Sequence, residues 1–125
     1  MSKKQLHNFI GGKHVAAVSG ETSEIINPST GVAYADAAVS NHEDVQSAYK
    51  AAASAFEEWG QTTPSERQLA LFRIADALEA RAQEAADVES ENTGKPLSTL
   101  VDYEIMPSVD QIRFFAGAAR NLEGR

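Results

Sequence analysis

The first forty residues alternate between short apolar runs and turn residues, a pattern typical of β-hairpins. Gly11 and Gly12 separate two such runs, and glycine adopts the positive φ angles of a tight turn without steric cost. A second pair of runs flanks the sequence NPSTG at residues 27–31. We therefore predict two β-hairpins. A phosphate-binding role for the glycine pair is disfavoured, because such loops lead into a helix and strand-like residues follow here.

Beyond residue 40, apolar residues recur every three or four positions, which predicts helices. The first helix is expected to begin at Ser40, with Glu43 in capping-box spacing, and to end at Gly60. Trp59 closes its apolar stripe and is expected in the core. The second helix is expected to begin at residues 63–66, TPSE, and to run unbroken almost to Asn92.

Gly94 and Pro96 together form a helix-stop signal. A glycine just past a periodic run supplies a left-handed C-cap, and a proline two residues later cannot continue the helix. A third helix is predicted from about Ser98, with a kink or restart at Pro107, where the backbone N–H is missing. It is expected to close at residues 122–124. The chain thus predicts two β-hairpins followed by three α-helices.

Charge and composition exclude several classes of function. The 125 residues carry a net charge of -7, and an acidic chain lacks the basic surface that binds a phosphate backbone. No apolar run approaches the roughly 18 residues of a membrane span, and the N-terminus lacks the apolar segment of a signal peptide. We expect a cytoplasmic protein that binds neither nucleic acid nor membrane.

The chain also lacks the residues of a complete redox enzyme. It has no cysteine, which excludes a thiol nucleophile and thiolate metal sites. Its eight glycines form no G-x-G dinucleotide signature, and Lys95 is followed by Pro96 instead of the Ser or Thr of a phosphate-binding loop. The three histidines have no metal-ligand spacing. We predict no catalytic residue and no cofactor-binding residue in this chain.

Several motifs carry a resemblance to a known family: NPSTG at residues 27–31, TGKP at 93–96 and FFAG at 114–117. Together with Trp59 and the Glu66-Arg67 pair, they resemble the opening segment of the NAD(P)-dependent aldehyde dehydrogenase superfamily, collinearly over essentially all 125 residues. Residues 62–64 and 114–120 are most similar to the gamma-aminobutyraldehyde dehydrogenases, with the betaine-aldehyde dehydrogenases as close relatives. The resemblance implies an α/β fold in which residues 1–125 form an incomplete N-terminal part of the NAD(P)-binding domain.

The resemblance also implies an activity. Family members oxidise an aldehyde to the carboxylic acid with NAD or NADP, and the subfamily suggests an aminoaldehyde such as 4-aminobutanal. The catalytic cysteine, the glutamate that activates water and the turn that holds the cofactor belong to later parts of the family pattern. We therefore expect an N-terminal fragment that is inactive alone and forms a homo-oligomer, dimer or tetramer, when complete.

Two alternatives remain open: a betaine-aldehyde dehydrogenase, and a small interaction module without catalytic activity. An open reading frame that continues past Arg125 into alternating strands and helices would favour the enzyme. A stop codon at that point would favour the module.

The resemblance assigns two candidate sites. Glu104 and Tyr103, with Asp102 as a neighbour, match the mouth of the substrate channel, although Glu104 could also be an ordinary solvent-facing residue. A monovalent cation, K+ or Na+, would be held by the backbone carbonyls of Ile25 and Ile26 and by Asn92. Asn92 replaces the family's carboxylate, so this site is expected to be weak, and Asn92 could merely cap the preceding helix.

Overall fold

A computed structural model describes residues 3–121, and in this range the strands precede the helices, as predicted. The elements fall into two compact units, one ending at Gln61 and the other beginning at Thr62. The predicted helix end at residues 122–124 lies outside the described residues. Within residues 3–121, no helix is long and apolar enough to cross a membrane.

The first unit contains β1 (Lys4–Leu6), β2 (Asn8–Ile10), β3 (Lys13–Val15), β4 (Thr22–Asn27), β5 (Val32–Ala38) and α1 (His42–Trp59). The second contains α2 (Pro64–Ala80), α3 (Ala82–Thr93), α4 (Leu97–Leu100), a π-helical segment (Val101–Ile105) and α5 (Met106–Ala118).

Both predicted hairpins are confirmed. In the first, Ile10 pairs with Lys13, so the loop consists of Gly11 and Gly12, with φ angles of 58° and 78°. Two positive φ angles define the type I′ turn that matches the twist of the flanking strands. In the second hairpin, between β4 and β5, the N–H of Gly31 donates to the carbonyl of Asn27 at 2.8 Å.

The sheet contains one pairing that the sequence does not predict. β1 runs parallel to β5, which gives a three-stranded sheet in the order β1-β5-β4. Parallel partners are joined by long connections, so no local turn signal marks them. The pairing of β4 with β5 also shifts between Ile25 and Ile26, whose partners are Ala35 and Ala33. Tyr34 is therefore the extra residue of a bulge in β5.

The start of α1 differs from the prediction by one residue. The N-cap is Asn41 instead of Ser40, and the reciprocal partner is Asp44 instead of Glu43. Asn41 Oδ1 accepts from the N–H of Asp44 at 3.2 Å, and Asp44 Oδ2 accepts from the N–H of Asn41 at 2.9 Å. Asp44 is also buried and accepts from the N–H of Val18 at 3.0 Å. A single carboxylate thus caps the helix and holds the preceding loop, which Glu43 does not do.

The prediction that Trp59 belongs to a core is wrong for the described residues. Trp59 is 48% exposed, and Phe56 on the same stripe is 66% exposed. The three-residue strands β2 and β3 reach only about 10 Å along a helix whose 18 residues span about 27 Å. The hairpin therefore contacts only part of α1. Its groove against the helix is lined by Phe9, Ile10, Gly11, Ala48, Ala51, Ala52 and Ala55.

The long second helix of the prediction is two helices. Its start is confirmed: Thr63 caps α2, and Glu66 completes the capping box. The break occurs at Arg81, whose φ of -117° and ψ of 23° leave the helical region. Arg81 is paired with Glu84 across the break, with Nε to Oε2 at 2.8 Å. Alanine and arginine are good helix formers, so residues 80–82 carry no local signal for this break.

Helices α2 and α5 pack against each other in the second unit. Ala75 on α2 and Val109 and Ala116 on α5 are buried, and small side chains allow two helix backbones to approach closely. Arg113 on α5 donates to Asp76 at 2.8 Å and to Glu79 at 2.5 Å, both on α2. Apolar packing and two ion pairs of Arg113 therefore join the same two helices.

The capping box of α2 predicts a measurable loss of stability. Thr63→Ala should lower the free energy of unfolding of the chain by about 0.5 to 2 kcal/mol, because the N–H of Glu66 loses its side-chain acceptor. Chemical denaturation of the two proteins measures this difference. Ser65→Ala changes a hydroxyl in the same helical turn and should have little effect. An equal loss in both variants would contradict the assignment of Thr63 as the cap.

The same box predicts a pH dependence. The pKa of Glu66 lies below its ordinary value, chiefly because its carboxylate accepts from the backbone N–H of Thr63. A lowered folded pKa contributes stability above the unfolded pKa, and this stability is lost as pH falls through the folded pKa. The advantage of the wild type over Glu66→Gln should therefore disappear in acid. A difference that persists or grows there would show that Glu66 acts through something other than its charge.

Candidate functional site

The turn between α3 and α4 fixes the backbone of Lys95. Gly94 ends α3 with a φ of 76°, the predicted left-handed C-cap, and its N–H donates to the carbonyl of Ser90 at 2.9 Å. The Ser90 hydroxyl donates to the carbonyl of Lys95 at 2.8 Å. Pro96 then starts α4 in an extended conformation. The turn is thus held on both sides of Lys95, while the lysine side chain extends from it.

A π-helical segment carries Tyr103 and Glu104. The N–H of Met106 bonds to the carbonyl of Val101, five residues earlier, instead of four. Pro107 has no N–H, so the carbonyl of Tyr103 cannot receive the bond that a continuous α-helix would give it. The wider turn accommodates this loss just before α5 begins. The kink or restart predicted at Pro107 corresponds to a change of helix type just before it, at Met106, and the sequence does not predict the π-helical form.

Glu104 is ion-paired with Lys95. The Lys95 ammonium lies 2.6 Å from Glu104 Oε2 and 3.0 Å from Glu89 Oε1. All three side chains are between 36% and 44% exposed, so the cluster is open to solvent. The pKa of Lys95 is raised, first by its hydrogen bond to Glu104 and then by that to Glu89. We call Lys95, Glu89 and Glu104 the lysine cluster.

The sequence indicated only one member of this cluster. The family resemblance points to Glu104, whereas no sequence pattern points to Glu89, and Lys95 carries only the turn motif TGKP and an incomplete phosphate-loop pattern. Lys95 follows Glu89 by six positions and precedes Glu104 by nine, spacings that do not align side chains on one helix. The helix-stop signal at Gly94 was the available clue, because a chain reversal brings the flanking helices together.

Tyr103 and Asp102, which flank or nearly flank Glu104 in sequence, are both exposed, and Tyr103 is 76% exposed. An exposed aromatic ring and a carboxylate each attract a cation, the ring through its face and the carboxylate through its charge. The arrangement is therefore suited to binding a positively charged group.

The three residues of the cation hypothesis are divided between the two units. Ile25 and Ile26 lie on β4, beside the bulge in β5, in the first unit. Asn92 lies in the last turn of α3, in the second unit. Both residues keep a partner on β5, Ala35 and Ala33 respectively. Asn92 precedes the C-cap by two residues, so it is not itself the cap.

The other chemistry that the structure offers is limited. Among residues 3–121, no group of three His, Asp or Glu side chains is placed to hold a metal ion. A groove at the α2–α3 break has an apolar floor that includes Leu78 and Val88, with Arg81 and Glu84 among the charged residues of its lining. In the lysine cluster, charged side chains meet beside a π-helical segment.

Comparison with known proteins decides the family. The model of the aldehyde dehydrogenase family matches residues 14–125. The chain belongs to the aldehyde dehydrogenase family. It is 39% identical over 117 residues to the EPTC-inducible aldehyde dehydrogenase of Rhodococcus erythropolis, covering 94% of this chain and 23% of that protein. It is also 39% identical over 122 residues to an aldehyde dehydrogenase of Rhodospirillum rubrum, covering 98% and 24% respectively.

The family's solved structures have the same fold over this segment. The NAD+ complex of aldehyde dehydrogenase from Bacillus cereus superimposes with a TM-score of 0.92 at 34% identity, covering 98% of this chain and 25% of that one. This likeness confirms the predicted aldehyde dehydrogenase-like α/β fold class. The chain spans about a quarter of the length of the aldehyde dehydrogenases that it matches.

The lysine cluster predicts how Lys95 titrates. Glu104→Gln should lower the pKa of the Lys95 ammonium, because the bond to Glu104 is the larger cause of its increase, and Glu89→Gln should lower it less. Carbon NMR of the labelled lysine side chain in an alkaline titration measures both changes. A raised folded pKa contributes stability below the unfolded pKa, which is lost as pH rises through the folded pKa.

The wild type and Glu104→Gln should therefore converge in free energy of unfolding at high pH. A larger pKa change in Glu89→Gln than in Glu104→Gln would reverse the ranking of the two carboxylates.

Proposed function

We propose that this chain is the N-terminal part of the NAD(P)-binding domain of an enzyme that oxidises an aldehyde to a carboxylic acid with NAD or NADP. Family membership over residues 14–125 carries this proposal, and the NAD+ complex of the Bacillus cereus relative supports the cofactor. The identity of 39% to aldehyde dehydrogenases over nearly the whole chain favours the enzyme over a small interaction module.

The proposal assigns the chemistry itself to other parts of the enzyme. The chain has no cysteine, so the nucleophile that the family uses must come from outside these 125 residues, and the chain alone is expected to be inactive. The complete enzyme is proposed to act in the cytoplasm as a homo-oligomer, dimer or tetramer, as the family resemblance implies. The role of this chain is then structural and substrate-selecting.

The proposed substrate is an aminoaldehyde such as 4-aminobutanal, recognised by Glu104 with Tyr103 beside it. The observation that carries this choice is that Glu104 already binds a primary ammonium, that of Lys95, at 2.6 Å. A carboxylate with this geometry is suited to the protonated amine of an aminoaldehyde, since charge-assisted hydrogen bonds are short and strong.

The same observation favours an aminoaldehyde over betaine aldehyde. A trimethylammonium group has no N–H and cannot form the hydrogen bond that Lys95 makes with Glu104. It would depend on aromatic faces, which are the usual partners of quaternary ammonium groups. Tyr103 supplies only one such ring in the π-helical segment.

Glu104→Gln in the complete enzyme should raise KM for 4-aminobutanal by about three- to tenfold, because only the cation feels the lost charge. KM for butanal, a neutral aldehyde of the same chain length, should stay nearly unchanged. Steady-state kinetics with both aldehydes measure the effect, and the 125-residue chain assayed alone should show no oxidation above buffer.

Asp110→Asn is the matched control, because it removes one exposed negative charge from α5 without touching the lysine cluster. It should change neither KM. Equal effects of Glu104→Gln on both aldehydes, or no effect on either, would remove Glu104 from substrate selection and weaken the aminoaldehyde assignment.

We also propose the monovalent cation, K+ or Na+, with the backbone carbonyls of Ile25 and Ile26 and the Asn92 side chain as ligands. The chemistry of the three oxygen ligands supports this assignment, because oxygen suits a hard cation. Asn92 contributes no charge, so binding should be weak.

The melting temperature of the complete enzyme should be higher in KCl or NaCl than in a bulky organic chloride at equal ionic strength. Identical melting temperatures in all three salts would count against the site.

A further inference from the structure

The lysine cluster holds one more negative charge than positive charge. Glu89 and Glu104 face a single ammonium, that of Lys95, at 3.0 and 2.6 Å. One further cation would neutralise the cluster. Because the three side chains are partly exposed, a small cation in solution can reach them without any opening of the fold.

Lys95 combines a fixed backbone with a movable charge. Gly94 and Ser90 hold the turn on both sides of the residue. The lysine side chain is a flexible four-carbon stem that carries a compact charge, so its ammonium can shift between neighbouring carboxylates without movement of the backbone. Glu89 is already within hydrogen-bonding distance, and this second partner requires no rearrangement.

We propose that Lys95 is an internal counter-ion that occupies Glu104 in the ligand-free protein and passes to Glu89 when the ammonium of an aminoaldehyde binds Glu104. This inference rests on the proposed function and adds a specificity-determining role for Lys95 and Glu89. The primary ammonium of the substrate thus replaces another primary ammonium, that of Lys95, at the Glu104 carboxylate. Selectivity then depends on how strongly Lys95 competes and on how well Glu89 receives it.

The displacement predicts opposite effects for substitutions of Lys95 and Glu89. Lys95→Met removes the competing ammonium and keeps a long unbranched side chain, so KM for 4-aminobutanal should fall by about two- to fivefold, the range of exposed ion pairs. Glu89→Gln confines Lys95 to Glu104 and removes the excess negative charge, so this KM should rise by about twofold. In both variants KM for 4-aminobutanal should change more than KM for butanal, which carries no ammonium.

Two further variants separate displacement from a purely structural role. Lys95→Arg keeps the charge in a planar group that grips carboxylates through two hydrogen bonds, so KM for 4-aminobutanal should not fall. In a Glu104→Gln background, Lys95→Met should have no effect on this KM, because the contested carboxylate is gone. Raising the NaCl concentration should reduce the difference between the wild type and Lys95→Met, since salt screens exposed charges.

The outcomes distinguish the two proposals. If Glu104→Gln changes both aldehydes equally or neither, the aminoaldehyde assignment fails, and the role of Lys95 fails with it. If Glu104→Gln acts on 4-aminobutanal alone while Lys95→Met raises KM or leaves it unchanged, only the displacement is overturned. Should Lys95→Met disturb the turn and fail to fold, Glu89→Gln decides by itself: an unchanged or lower KM for 4-aminobutanal overturns the displacement.

Discussion

The missing N–H of Pro107 is the constraint on which the surroundings of Glu104 depend. A continuous α-helix would bond this position to the carbonyl of Tyr103, and proline cannot supply the bond. The helix widens instead into the π-helical segment Val101–Ile105. One extra residue in a turn rotates the side chains around the axis by about 100° relative to an uninterrupted α-helix. Glu104 meets Lys95 in this altered register, so a backbone property sets a side-chain contact.

The turn at Gly94 is the second backbone feature that brings Lys95 and Glu104 together. A left-handed glycine reverses the chain tightly enough that Lys95 reaches Glu89 on the helix it has just left and Glu104 on the segment ahead. Lys95 therefore contacts two carboxylates that are six and nine positions away in the sequence. The site thus arises from two backbone irregularities, a C-cap and a π-turn, each of which depends on a residue with unusual conformational properties.

Features with a local chemical cause could be predicted from the sequence. The hairpin at Gly11, the capping box at Thr63 and the C-cap at Gly94 each follow from what a few adjacent residues can do, and all three are confirmed. The cap of α1 was wrong by one residue, because Asp44 also holds the distant N–H of Val18. Contacts of that kind depend on the folded chain and carry no mark in the local pattern.

The remaining differences have the same origin. The break at Arg81 lies among good helix formers, and the parallel pairing of β1 with β5 joins strands from opposite ends of the β region. The exposure of Trp59 reflects the short reach of the hairpin, which the apolar stripe of α1 cannot reveal. For the candidate site, the family resemblance indicated Glu104, and only the fold identified the ammonium beside it.

In the order β1-β5-β4, the short strand β1 covers part of one edge of β5. β5 is the central strand, and the three residues of β1 occupy one of its two edges. Without them, the backbone N–H and carbonyl groups along that edge would be open to pairing with a strand of another molecule, the usual start of sheet-to-sheet aggregation. Lys3, just ahead of β1, adds a charge there and bonds Glu24 on β4. Loss of β1 would therefore open this edge of β5 to pairing with another chain.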